Sequence, residues 1–442
     1  MLRLTGSWRG RCYSLLSLAL LFLWPLAAAG RSLVEQRCLS HPHWRELLHN
    51  YSNQYASSLA LLTGGDARRA GEGRVRFTIA VIEPRSSRIG LGDILPGLSS
   101  IFLSSLRNNR LFWLDWELAL GSVLEPGSGL DAFRLPENAT HGSWRQLVDH
   151  LGPNATFRYG GPPEAAVDTS PLTPWSADAV SADVAVFTEF NRGVYTRFGA
   201  TDRDDLAWLE RAVPRGTDGS LAFGCVYAAA LRFSPAFQQY ATRLREKIFH
   251  PQNSSVTCVH LRMGDTALVK HVHRTSTSPQ YQRAIACLDR VDVLGDNAVF
   301  ATGDDAVAVR MLGNHVRARN RTFMTSDLKV VHVANWREQK EQAHWYRGVP
   351  LLRHAPWLRY ESITDQEIID AYTSSWAEWL LLSSCPVLLL SHSGFSRTAA
   401  AYGSVVSSNG EPSRQALYNF GTNCTPLRGT ARDAQCSDGA GC

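Results

Sequence analysis

The sequence predicts an α/β protein with two Rossmann-like halves, and three observations carry that prediction. Short apolar, β-rich runs alternate with segments of helical period through much of residues 75–402. Several of these runs end in polar loops at the point where a helix would begin, as strands of a parallel sheet do. The composition, 44% hydrophobic and 19% charged over 442 residues, is that of a folded chain with room for two or three domains. Disorder throughout is excluded.

Residues 1–30 have a basic start, an apolar run from Tyr13 to Leu26, and then Ala27, Ala28, Ala29 and Gly30. This reads as a secretory-pathway signal, either a cleaved signal peptide or a signal anchor. No later segment offers about 18 uninterrupted apolar residues. The remainder is therefore expected as one lumenal body, Golgi-resident as a single-pass type II membrane protein or secreted. Asn50, Asn138, Asn154, Asn253, Asn320 and Asn423 open N-x-S/T sequons. Beyond Cys12, eight cysteines remain, an even number that suits disulfides in an oxidising compartment. Their pairing is left open. His271 and His273 lack further ligands at zinc spacing, so no zinc site is expected.

The formal charge is +5, of which Arg3, Arg9 and Arg11 supply three, leaving +2 from Gly30 onward. That is too little for general nucleic-acid binding. Only Lys247, Lys270, Lys329 and Lys340 among the 45 basic residues are not arginine, a bias better ascribed to genome composition than to anionic ligands.

Residues 31–73 are polar with glycine breaks and read as a stem. The N-terminal domain, 74–250, opens with the apolar strand VRFTIAVIE (75–83), a glycine loop, a helix over 94–106 and a strand over 110–116. Strand, loop, helix, strand make a βαβ unit. Residues 121–178 show no sustained period and read as a surface insertion. A further strand is expected at 182–187 and a helix at 234–249. The C-terminal domain, 251–442, alternates more clearly. Strands are expected at 256–262, 298–302, 330–333 and 387–390, with helices at 279–291, 305–312, 364–384 and from 396, before a cysteine-containing tail. This is a doubly wound nucleotide-binding pattern, whose ligands sit beyond the carboxyl ends of the strands.

Three of those ends carry unusual polar residues. His260-Leu261-Arg262-Met263-Gly264-Asp265 delivers an imidazole, a guanidinium and a carboxylate. The arginine suits a pyrophosphate oxygen, and the plain alternative is an Arg262–Asp265 ion pair in a turn. Asp304 and Asp305 follow the next strand, where a carboxylate meets a ribose or purine edge or caps the next helix. The run Ser391-His392-Ser393-Gly394-Phe395-Ser396-Arg397 opens a helix, with hydroxyls, amides and a cation suited to an anion, and the plain alternative is an ordinary serine N-cap. Together these groups suit a sugar nucleotide.

At these residues the chain resembles the GDP-fucose-dependent fucosyltransferases, the broad group of α1,2-, α1,6- and protein O-fucosyltransferases. HLRMGD at 260–265 resembles their HxRxGD-type motif, and SHSGFSRTAAAYG at 391–403 their C-terminal serine/phenylalanine motif. GLGDILPGLSSIFLSSLRNNRLFWLDW at 90–116, FGCVYAAALRFSP at 223–235 and FATGDD at 300–305 resemble the plant xyloglucan type. The resemblance spans roughly Arg88 to Gly403. It implies a GT-B-like fold with two Rossmann-like domains facing across a cleft, an inverting mechanism, no required metal or other cofactor, and GDP-fucose held by the C-terminal half. Carried over by position, Arg262 would bind the β-phosphate, with His260 and Asp265 supporting its loop. Asp304 or Asp305 would contact the guanosine, and Ser393, Phe395, Ser396 and Arg397 would line the nucleotide. Gly90, Gly92 and Asp93 would face the cleft. The plant GLGNR is GLGDI here, which leaves the glycan or glycoprotein acceptor open. Asp93 and Asp265 are the candidate general bases.

Two rival readings keep the fold: a glycosyltransferase using another nucleotide sugar, and an inactive lumenal carbohydrate-binding protein. A sulfotransferase is disfavoured because no P-loop follows the first strand.

Overall fold

The computed structural model describes residues 38–63, 75–82, 91–116, 122–124, 156–160, 174–188, 202–213, 220–231, 233–249, 256–263, 278–291, 298–326, 365–391, 393–405, 416–420 and 424–426. The expected N-terminal signal and the expected strand at 330–333 lie outside these residues. Among the described residues no helix is long and apolar enough to cross a membrane.

Helix α1 (Pro42–Thr63) falls within the segment read as a stem. Trp44, Leu48, Tyr51 and Tyr55 are all buried, and their spacing of four, three and four residues forms one helical stripe. The Tyr51 hydroxyl accepts the Phe112 N–H at 2.7 Å, and Cys38 forms a disulfide with Cys225. From Cys38 to Ser58 the chain thus packs into the core and is not a spacer. Its polar outer face concealed the stripe.

The first sheet comprises β1 (Phe77–Ile82), β2 (Leu111–Trp116), β3 (Phe157–Gly160) and β4 (Val184–Thr188). Helix α2 (Leu91–Arg107) crosses from β1 to β2, and α3 (Ala177–Ser181) precedes β4. The order is β2-β1-β4-β3, parallel throughout, so Ile79 has Trp113 on one side and Val186 on the other. Every residue of β1 is buried, as a central parallel strand covered on both faces requires. β3 comes from the stretch expected as a surface insertion, which therefore contributes a sheet edge. Asn109 ends α2 with a φ of 50°, a conformation that asparagine tolerates better than most residues.

Arg110, directly before β2, is 2% exposed. Its guanidinium donates to Thr78 Oγ1 at 2.7 Å, Ala182 O at 2.6 Å, Val180 O at 3.0 Å and Phe77 O. Burial, and secondarily the nearby Arg76, pulls its pKa down to about 10, which leaves it charged at neutral pH. One side chain thereby ties three segments of the sheet together.

Helix α4 (Arg203–Ala212), capped by Asp202, packs on α1. Helix α5 (Ser220–Ala230) lies against both α2 and α10 (Gly394–Gly403). A Cβ at Gly224 would stand 2.6 Å from Ala401 O, so α5 and α10 approach through this glycine. Helix α6 (Pro235–Ile248) starts at the Ser234 cap with Pro235 in its first turn. It packs on α9 (Asp365–Ser383), so the last helix before the expected boundary at 250 leans on the second half.

The second sheet has β5 (Val256–Leu261), β6 (Ala298–Gly303), β7 (Phe323–Met324), β8 (Val387–Leu390), β9 (Ala416–Asn419) and β10 (Thr425–Pro426) in the order β10-β9-β8-β5-β6-β7. All its pairs are parallel except β9 with β10. Helices α7 (Pro279–Val291) and α8 (Ala306–Arg317) pack on β5 and β6. Two further disulfides, Cys258–Cys385 and Cys287–Cys424, staple this half. The chain runs from β5 outward to β7 and then returns to β8 on the other side. The strand order therefore reverses between β5 and β8, and ligands of such sheets bind at that switch point. The expected α/β architecture with two parallel sheets is what the structure has.

Candidate functional site

The carboxyl ends of β5 and β8 meet at the switch point. His260 and Ser391, both buried, bring Nδ1 and Oγ to 3.0 Å across it. The Ser391 oxygen also accepts the Ser393 N–H at 3.3 Å and lies 3.4 Å from Ser396 Oγ. Phe395 sets its ring 5.1 Å from the His260 ring, tilted by 36°. Ser393 caps α10 by accepting the Phe395 N–H at 3.2 Å. These residues therefore converge at a helix N-terminus, where amides and the helix dipole favour an anion. Arg397 is half-buried in the first turn of the same helix.

Register places the arginine. His260 pairs with Thr302 and Leu261 with Gly303, so Asp304 emerges beside Arg262. A Cβ on Gly303 would stand 2.3 Å from Leu261 O, and only glycine allows β6 to end this close to β5. Asp304 then uses both carboxylate oxygens. Oδ1 accepts the Met263 N–H at 2.7 Å, and Oδ2 takes Arg262 Nη1 at 2.9 Å. The side chains are 16% and 5% exposed for Arg262 and Asp304, so the pair is largely withdrawn from water and its orientation is fixed. Asp304, expected beside a guanosine, is thus engaged in holding the arginine and the turn after β5. Asp305 caps α8, accepting from Val307 N at 2.8 Å and Ala308 N at 3.1 Å.

The first sheet reaches this place through Gly92, in the first turn of α2. A Cβ there would fall 2.1 Å from Phe395 N and 2.6 Å from Gly394 C, so the N-termini of α2 and α10 meet main chain to main chain. The structure thus brings together Gly92, His260, Arg262, Asp304, Ser393, Phe395 and Ser396. Gly90, the Asp93 side chain, Asp265, and His271 with His273 lie outside the described residues. The sequence reading missed the Arg262–Asp304 pair and the part played by Ser391. The pair was hidden because it depends on the register of two strands whose partners are 42 residues apart in sequence, His260 with Thr302. Ser391 had a visible signal, standing at the end of VLLL immediately before the capping serine.

No protein-family model matches the chain, and no curated protein does. Solved structures of fucosyltransferases do show similarity. The fucosyltransferase NodZ from Bradyrhizobium is 13% identical, with 80% of this chain and 98% of that one covered and a TM-score of 0.46. A mutant of Arabidopsis thaliana FUT1 in complex with GDP is 14% identical, with coverage of 86% and 79% and a TM-score of 0.49. POFUT1 in complex with GDP-fucose is 10% identical, with coverage of 77% and 97% and a TM-score of 0.39. At such identities the chemistry rests on this chain's own residues.

Proposed function

We propose that the protein is an inverting glycosyltransferase that moves fucose from GDP-fucose to a hydroxyl of a glycan acceptor in the secretory pathway. The observation that supports this reading is the Arg262–Asp304 pair at the switch point, beside the capped N-terminus of α10. A guanidinium held on one side by a carboxylate is preorganised for an anion approaching the strand ends. The motifs around it are those of the sequence resemblance.

In the transfer, the acceptor oxygen forms a bond to fucose C1 as the bond from C1 to the diphosphate oxygen breaks. The bonding pair leaves with GDP, and the acceptor proton passes to a carboxylate, Asp93 or Asp265. Negative charge grows on the departing diphosphate. Arg262 and the amides at the start of α10 are the groups that stabilise it. This scheme calls on no metal: stabilisation of the departing diphosphate is shared between Arg262, whose charge Asp304 partly offsets, and the amides at the start of α10.

The test incubates the protein with labelled GDP-fucose, and with other nucleotide sugars as competitors, over a panel of glycan acceptors. Fucosyl transfer is expected, with Arg262→Ala lowering turnover by about 10²–10³-fold while the fold persists. Near wild-type turnover in that variant removes Arg262 from the mechanism. Transfer from a different donor overturns the choice of sugar nucleotide.

A further inference from the structure

Glu378 lies in α9 within Trp376-Ala377-Glu378-Trp379 and is 2% exposed, flanked by tryptophans that are 0% exposed. A carboxyl in such a place is costly unless donors meet it. Two hydroxyls do. Thr302 Oγ1 donates to Oε2 at 2.6 Å, and the Ser326 hydroxyl donates to Oε1. Burial raises the Glu378 pKa to about 7 despite both bonds, so the group is held at that depth against its own solvation. Tyr240, on the packed helix α6, has a pKa raised first by burial and second by the charge of Glu378.

Thr302 stands at the end of β6, paired with His260 and two residues before Asp304. The bond from Glu378 therefore anchors the strand end from which Asp304 reaches Arg262 and the Met263 N–H. Ser326 lies beyond β7 on the other carboxylate oxygen and is off this path. We propose that Glu378 is a positioning residue for the diphosphate site: through Thr302 it fixes the end of β6, so that Asp304 presents Arg262 to the nucleotide. This rests on the reading of Arg262 as the diphosphate ligand.

The experiment measures GDP and guanosine affinities by calorimetry on the whole protein. Thr302→Val removes the donor while keeping the shape. It is expected to weaken GDP about tenfold, the scale of a lost hydrogen bond to a charged group, and to leave guanosine within about twofold. Thr302→Ser is expected to restore GDP binding, and Ser326→Ala to leave both affinities unchanged. A selective loss of GDP over guanosine is what a merely structural role does not produce. Wild-type GDP affinity in Thr302→Val overturns the proposal, as does an equal loss of GDP and guanosine. If Thr302→Val does not fold, Thr302→Ala carries the same expectations. Failure of the underlying reading looks different: the unaltered protein does not bind GDP, or Arg262→Ala binds it undiminished, and the proposal falls with the reading.

Discussion

Replacing Glu378 with glutamine should flatten the dependence of stability on pH between about 4.5 and 7. The folded protein holds this carboxyl proton to a pKa of about 7, against an ordinary value of 4.5, chiefly because burial penalises the charged form. Below pH 4.5 both the folded and unfolded chains carry the proton, and no penalty exists. As the pH rises toward 7, the unfolded chain releases the proton while the folded chain keeps it, so unfolding becomes easier with each step. Above pH 7 the penalty is complete and constant. At 1.36 kcal/mol per tenfold change in proton affinity, the full effect is about 3 kcal/mol. Glutamine does not ionise, and its amide oxygen still accepts from Thr302. Urea-unfolding free energies of the two proteins at pH 5 and pH 8 give the answer. The native protein should lose about 2–3 kcal/mol more than the variant across that interval, because at pH 5 the unfolded chain has already released part of the proton. Parallel pH profiles would show that the buried carboxyl is solvated or neutralised by other means, and the reasoning would be wrong.

Two further outcomes follow from packing. Arg110→Met should cost about 3 kcal/mol of stability, because the carbonyls of Phe77, Val180 and Ala182 lose a donor where water does not replace it. Urea denaturation reads this directly, and an unchanged midpoint would mean that those carbonyls find other partners. Gly92→Ala places a methyl within 2.1 Å of Phe395 N, so α2 and α10 must separate. Overpacking of this kind costs about 1–3 kcal/mol. Thermal unfolding together with GDP affinity should show both falling, and a variant with native values of each would deny that these helix starts are pressed together.

Much of the second sheet was legible in the sequence because parallel strands covered on both faces read as uninterrupted apolar runs. Val387–Leu390 and the helix Pro279–Val291 form where the pattern places them. The polar ends of β5, β6 and β8 stood out for the same reason, since each breaks an apolar run abruptly. Less visible was anything depending on how elements meet. Helix α5 is apolar on nearly all sides, SLAFGCVYAAA, because it is enclosed by α2 and α10, and such a segment has no period to detect. The stripe of α1 was present but diluted among polar residues. Glu378 was readable as an anomaly, an acid inside an apolar helix, but its partners Thr302 and Ser326 are 76 and 52 residues away in sequence. The division of labour between Asp304 and Asp305 was beyond the sequence as well. Either fits a cap, and only the closeness of β6 to β5 at Gly303 decides that the first faces the arginine.

The bridge from Cys38 to Cys225 also determines how the molecule bears mechanical load. Tension entering ahead of Cys38 is relayed through sulfur straight to helix α5, bypassing a sequence separation of 187 residues that includes α1 and the whole first sheet. Stretched in an oxidising medium, that half stays slack. Reduction adds roughly 620–670 Å of extensible contour, at 3.3–3.6 Å per residue.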